Sequence, residues 1–97
     1  MDINIEWDSR KNKSNQEKHG FCFEDAGLVF RDEVFTFKDN RYDYGEKRYI
    51  AFGNLEERAV IVAYTYRNDK IRIISMRKAN EREKKTYQKR LEENRCS

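Results

Sequence analysis

The chain has no proline, and among its 97 residues there are only four glycines, two cysteines and one histidine. Cysteine is too scarce and too dispersed to staple the fold. Cys22 and Cys96 stand far apart and form neither a disulfide framework nor a CxxC pair. With a single histidine beside them, no structural zinc set is expected. Cys96, next to the end, reads as a free surface thiol. No stretch approaches the roughly 20 apolar residues that a membrane span needs. The opening residues, Met1-Asp2-Ile3-Asn4-Ile5-Glu6, lack the basic start and apolar run of a signal peptide. A chain folding in the cytosol, away from membranes, is the expectation. Internal repeats and low-complexity tracts are also missing. The length suits one domain over residues 1–97 with one modest core.

What the chain has in quantity is charge. Charged residues make up 40% and apolar residues 37%, with 13% aromatic, so a wet but ordered domain is expected rather than a disordered one. The net charge of +3 says less than its distribution. From Met1 to Tyr66 there are 10 Lys/Arg against 13 Asp/Glu, a balance of −3; from Arg67 to Ser97 there are 11 against 5, a balance of +6. A basic segment joined to an acidic one suits an anionic partner such as nucleic acid. It equally suits a solvated basic helix with no partner.

The pattern of residues predicts the elements. Ile3-Asn4-Ile5-Glu6-Trp7 alternates as a half-buried strand does. Asp8 stands where a helix N-cap belongs, a polar helix follows through Glu17, and Lys18-His19-Gly20 closes it with two basic residues and a left-handed cap. A second helix is expected from about Phe23 to Arg31, with Phe23, Ala26, Val29 and Phe30 on one face. Val34-Phe35-Thr36-Phe37 reads as a strand, residues 39–45 as a loop, and Arg48-Tyr49-Ile50-Ala51-Phe52 as a strand stopped by Gly53-Asn54. Residues 59–64 are nearly all apolar, which predicts a central strand covered on both faces. Arg67-Asn68-Asp69-Lys70 is a turn, and Ile71 to Met76 the last strand. There, simple alternation puts Arg72, Ile74 and Met76 on one face and Ile71, Ile73, Ser75 and Arg77 on the other. Asn80 with Glu83 forms a capping box for a final helix whose apolar seam is Tyr87 and Leu91. The fold class is therefore α+β: two N-terminal helices on an antiparallel sheet of four to five strands, then a C-terminal helix, with the helices covering one face.

RNA can be cut without a metal when its 2′-hydroxyl attacks the adjoining phosphate. That needs a base for the 2′ proton, an acid for the leaving 5′ oxygen, and cations for the transition state. The chain offers Glu46, His19, Arg48, Arg67, Arg72 and Arg77. Each has a structural reading too. His19 is also a cation suited to a helix C-terminus. Glu46 and Arg48 also make an ordinary surface pair. A half-buried Arg72 needs a partner, for which Glu46 and Asp69 are the candidates. Tyr87 is also a packing residue of the last helix. Arg77, at a strand end beside a groove, is the best placed to hold phosphate in a two-pronged manner. Arg67 and Arg77 should fall at opposite ends of the last strand.

Taken together, Glu6-Trp7-Asp8, Lys11, Asn15, Lys18-His19-Gly20, Phe23, Ala26, Val29-Phe30 and Asp32 resemble the N-terminal signature of the BrnT toxins. The likeness continues through Glu46, Arg48-Tyr49-Ile50-Ala51, Gly53, Tyr64 and Arg67, and ends with Arg72-Ile73-Ile74-Ser75-Met76-Arg77, Ala79, Glu83 and Tyr87. The resemblance implies a RelE-like ribonuclease fold and a growth-arresting toxin that cleaves RNA without metal or other cofactor. It also implies a BrnA-type ribbon-helix-helix antitoxin, joined in a heterotetramer that binds operator DNA through the antitoxin. The positions carried over are His19, Glu46, Arg48, Arg67, Arg72, Arg77 and Tyr87: the expected catalytic set is His19, Glu46, Arg67, Arg77 and Tyr87, with His19 or Glu46 as base or acid, and Arg48 and Arg72, joined by Lys18, are the expected substrate contacts. The competing reading is a binding module for nucleic acid or antitoxin, without catalysis. Two departures stand out. Met76 replaces the alanine usual before Arg77 and is expected to reshape its groove. Cys22 replaces a small polar cap and is expected to cap the second helix poorly.

Overall fold

The computed structural model describes residues 4–32, 34–41, 43 and 45–95. The elements run β1 (Ile5–Trp7), α1 (Ser9–His19), a 3-10 turn (Phe23–Asp25) leading into α2 (Ala26–Arg31), β2 (Phe35–Asp39), β3 (Arg48–Leu55), β4 (Arg58–Arg67), β5 (Lys70–Lys78) and α3 (Glu81–Arg95). Ile3 of the expected first strand and the Cys96 thiol lie outside the described residues.

One five-stranded sheet has the order β1-β5-β4-β3-β2. The strands from β2 to β5 form an antiparallel meander, as the α+β reading requires. β1 is the exception to an all-antiparallel sheet, because it pairs parallel with β5, Glu6 lying opposite Arg72. A parallel pair needs a long connection. Here both helices and three strands intervene.

α1 and α2 cover one face of the sheet. Phe23, Ala26 and Val29 are completely buried there against Ala51, Val62 and Met76. α3 goes to the opposite face, so the expectation that all helices share one face is corrected. The reason lies in β4, which is apolar on both sides. Val60, Val62 and Tyr64 face α1 and α2, while Ile61 joins Ile50 and Phe52 on the other side. Those three residues are the apolar ground on which Tyr87 and Leu91 settle. We call the two sides the inner face and the outer face.

Local signals are where the sequence placed them. Asp8 caps α1, its carboxylate accepting from the N–H groups of Arg10 (2.8 Å) and Lys11 (3.2 Å). Gly20 closes α1 at φ 75°. The capping box of α3 is complete: Glu83 N–H donates to Asn80 (2.8 Å) and Asn80 N–H to Glu83 (2.9 Å). Cys22 makes no capping bond. Asn12 on α1 does the work instead, accepting from Phe23 N–H at 2.9 Å.

Three departures have physical causes. β3 runs through Gly53 to Leu55, and the chain turns at Glu56-Glu57 with φ of 50° and 68°. Gly53 is there for packing, since a Cβ would meet Val29 Cγ1 at 2.6 Å and Val34 Cγ1 at 2.9 Å. Asp39, expected in the loop, is buried and pairs with Arg48 at the end of β2. In β5 the register jumps from Ala63–Ser75 to Tyr64–Ile73, leaving Ile74 as a bulge. The bulge breaks the alternation. Ile71, Ile73 and Met76 share the inner face, whereas Arg72 and Arg77 both face outward.

Asn15 is the buried exception on an otherwise polar helix. β1 stops at Trp7 and leaves the next stretch of the β5 edge uncovered. Asn15 takes that place. Its Nδ2 donates to Met76 O (2.8 Å) and Phe21 O (3.1 Å), and its Oδ1 accepts from Met76 N–H (3.1 Å).

Candidate functional site

α3 covers only part of the outer face. Beyond it a belt of polar side chains crosses all five strands. Glu6 on β1 lies opposite Arg72 on β5, and Arg72 lies opposite Thr65 on β4. Thr65, one residue on from the Tyr49–Tyr64 pair, sits beside Arg48 on β3, which lies opposite Asp39 on β2. Strand alternation puts all five side chains on the same side as Ile50, Phe52 and Ile61.

Partly desolvated charges need partners. Arg72, with 23% of its side chain exposed, has Glu6 at 3.4 Å. Neither Glu46 nor Asp69 is its partner here. Thr65 is buried and donates to Lys47 O at 2.6 Å. The Asp8 carboxyl is held below its ordinary range by the N–H groups of Lys11 and Arg10, and the charge of Arg72 adds to this.

Glu46, two residues before Arg48, stands beside the belt between two guanidiniums. Arg48 Nε is 3.5 Å from its Oε1 and Arg67 Nη2 is 3.7 Å from its Oε2. The expected surface pair is real, and Arg67 makes it a triad. The carboxylate keeps 35% of its surface in water and Arg67 keeps 51%, so the group is open to a ligand.

Arg77 lies on the same face but at the other end of β5. It is opposite Ile61, whereas Arg67 is six residues further along β4. At about 3.3 Å per residue the two backbones are roughly 20 Å apart. The expectation of opposite ends is met. Arg77 forms a two-pronged pair with Glu83, both N–O distances being 2.8 Å. The hydrogen bonds to Arg77 hold the Glu83 carboxyl below its ordinary value and raise the Arg77 guanidinium. Met76 does not reshape this groove. Successive strand residues point to opposite faces, and Met76 is fully buried in the inner core.

Glu83 thus serves α3 and β5 together, and its titration should be visible in stability. A carboxyl with a lowered folded pKa contributes stability above its unfolded value, here 4.5, and loses it as pH falls through the folded value. Glu83→Gln should therefore be less stable than the parent at pH 7, with the gap narrowing below pH 4.5. Urea melts at both pH values read this directly.

Lys18 and His19 stand apart from the belt. Both are exposed at the end of α1. They line a groove with Lys11, Ile74 and Ser75 along β5, and β4 separates this edge from Glu46 on the β3 side. Tyr87 is buried, 6% exposed, with its hydroxyl accepting from Asn54 Nδ2 at 3.2 Å and its ring edge-on to Phe35 at 5.5 Å. The structure therefore gathers Glu46, Arg48 and Arg67, sets Arg72 and Arg77 on the same face, and leaves His19, Lys18 and Tyr87 elsewhere. Sequence reasoning missed Glu6, Asp39 and Thr65 as belt members. Glu6 was visible only as the outward residue between Ile5 and Trp7, and its neighbour depends on the parallel pairing.

Among the described residues no group of three His, Cys, Asp or Glu side chains could hold a metal ion, and no helix is long and apolar enough to cross a membrane. The fold and site together define a small α+β protein with a row of carboxylate-steadied arginines on one half-open sheet face. Residues 7–83 match the family described as the ribonuclease toxin BrnT of type II toxin–antitoxin systems, and the chain belongs to that family. It is thus a type II toxin with a ribonuclease role. Tyr87 lies beyond the matched stretch. No curated protein matches the chain.

Proposed function

We propose that the whole chain acts as one domain, a metal-independent endoribonuclease of the cytoplasm whose RNA cleavage arrests bacterial growth. The observation that carries this reading is the placement of Arg48, Arg67, Arg72 and Arg77 on one face, with Glu46 flanked by two of them. A carboxylate between guanidiniums combines a proton acceptor with the charge that a phosphorane needs. Glu46 takes the 2′ proton. The 2′ oxygen bonds to phosphorus, the bond from phosphorus to the 5′ oxygen breaks, that oxygen takes a proton from solvent water, and Glu46 returns its own proton to solvent. The products are a 2′,3′-cyclic phosphate and a 5′-hydroxyl. Arg48 and Arg67 neutralise the added charge, and Arg72 extends the cationic track. Arg77 holds a phosphate further along the strand, because roughly 20 Å separates its backbone from that of Arg67. Lys18 and His19 meet the RNA backbone at the β5 edge, and Tyr87 anchors α3 on the sheet.

The partner in this reading is a BrnA-type ribbon-helix-helix antitoxin. Two toxins and two antitoxins form a heterotetramer that binds operator DNA through the antitoxin. Neutralisation follows if the antitoxin covers the arginine face.

The test has two parts. Expression of the parent stops growth, and Arg77→Ala loses toxicity while still binding antitoxin. Loss of both properties would point instead to a binding module or a misfolded variant. RNA cleavage by the purified toxin under subsaturating conditions should also slow steeply with added salt, since phosphate contacts release counterions. A rate that stays flat across a wide salt range would overturn the electrostatic part of the reading.

A further inference from the structure

The outer face holds a second feature, of which the cleavage reading uses only Arg77. Between β2, β3 and the first turn of α3 lies a groove of about 230 Å³. Its floor is apolar, made by Phe37, Ile50, Phe52 and Ile61. Phe37 is 48% exposed, yet an edge-to-face contact with Phe52, centroids 5.5 Å apart at 76°, holds its ring in place. One exposed ring means little by itself. What surrounds this one matters more.

Two guanidiniums line the groove, Arg41 and Arg77. Each is braced by a carboxylate. Asp39, whose side chain is only 4% exposed, accepts from Arg41 Nε at 2.9 Å and Nη2 at 3.0 Å, and also from its backbone N–H at 3.2 Å. Glu83 accepts from Arg77 Nη1 and Nη2, both at 2.8 Å. The positive charge of both arginines bears on Glu83, which places them in one electrostatic neighbourhood. Braced arginines lose little freedom when they meet an anion.

An aromatic floor between two positioned cations matches the chemistry of one nucleotide, with its flat base and flanking phosphates. We infer that this groove is a nucleotide subsite: Phe37 stacks an unpaired base of the RNA, and Arg41 and Arg77 hold the phosphates on either side. The inference rests on the RNA-cleaving reading and deepens it. A base is free to stack only when it is out of a helix, so the subsite selects single-stranded RNA. Stacking tolerates any base, so the selection is for strandedness more than for sequence.

The test uses the full chain and a fluorescent single-stranded RNA whose 2′ positions are methylated, which removes the nucleophile. Anisotropy gives the affinity of the parent, Phe37→Ala, Phe37→Leu and Phe37→Trp. Phe37→Ala should bind about tenfold or more weakly. Phe37→Leu keeps an apolar contact with Phe52 but has no ring, so it should lose affinity similarly. It also carries the test if the alanine variant folds poorly. Phe37→Trp should retain parental affinity, with its indole emission quenched on binding. The salt dependence should be unchanged in all three, because no phosphate contact is removed. Leucine and alanine variants that bind within about twofold of the parent would overturn the subsite. A parent that cuts RNA while those variants bind like it overturns the subsite alone. A parent that neither binds nor cuts single-stranded RNA overturns the cleavage reading as well.

Discussion

Replacing Glu46 with glutamine is expected to slow RNA cleavage by roughly 10²–10⁴-fold while leaving RNA binding intact or slightly tighter. The substitution keeps the shape of the side chain. It removes the proton acceptor and the negative charge that Arg48 and Arg67 share at 3.5 and 3.7 Å. Stability should scarcely change, because long, partly exposed ion pairs contribute little. Single-turnover cleavage gives the chemical step, and filter binding with a 2′-methylated RNA gives affinity. An unaltered rate would remove Glu46 from the chemistry. The arginine face would then be a binding surface, and another acid–base group would have to be found. The nearest in kind is His19, which stands across β4 in a separate groove.

The largest stability effect is expected at Asn15. Asn15→Leu fills similar space but abandons three backbone groups: Met76 N–H, Met76 C=O and Phe21 C=O. Unsatisfied buried groups cost about 1–3 kcal/mol each, so a loss of about 3 kcal/mol or more is expected. For a domain of this size that corresponds to roughly 12 °C or more in Tm. Thermal melts followed by circular dichroism measure it. A variant that melts with the parent would mean that α1 is held by its other contacts and that the β5 edge is satisfied without Asn15. The effect reaches function through β5. The amide of Asn15 grips the strand at Met76, beside the Ile74 bulge that turns Arg77 to the outer face.

Much of the fold was legible because its signals are local. Asp8, Gly20 and the Asn80–Glu83 box act within a few residues of themselves, and the apolar run of β4 announces a strand buried on both sides. Signals that depend on distant neighbours were not legible. The parallel pairing of β1 with β5 joins segments separated by most of the chain, so Glu6 could not be matched with Arg72 in advance. Nothing in Ile73-Ile74-Ser75 marks a bulge, yet that bulge turns both Arg72 and Arg77 outward. Gly53 reads as a stop from sequence alone, and only the approach of Val29 and Val34 explains it as a packing residue. The candidate site divides the same way. Its residue types were readable, but Arg67 joined Glu46 only when β3 and β4 were set side by side, and the buried brace Asp39 was hidden in what looked like a loop.

Metal-free cleavage on the arginine face can be read from the ends of the RNA products. Purified toxin is incubated with a long, partly single-stranded RNA in excess EDTA, beside Glu46→Gln and Arg77→Ala, and the product ends are identified. Cleavage by the parent is expected, with 2′,3′-cyclic phosphate and 5′-hydroxyl ends, and little or none by either variant. Cleavage that stops in EDTA, or that both variants carry out at the parental rate, would contradict it.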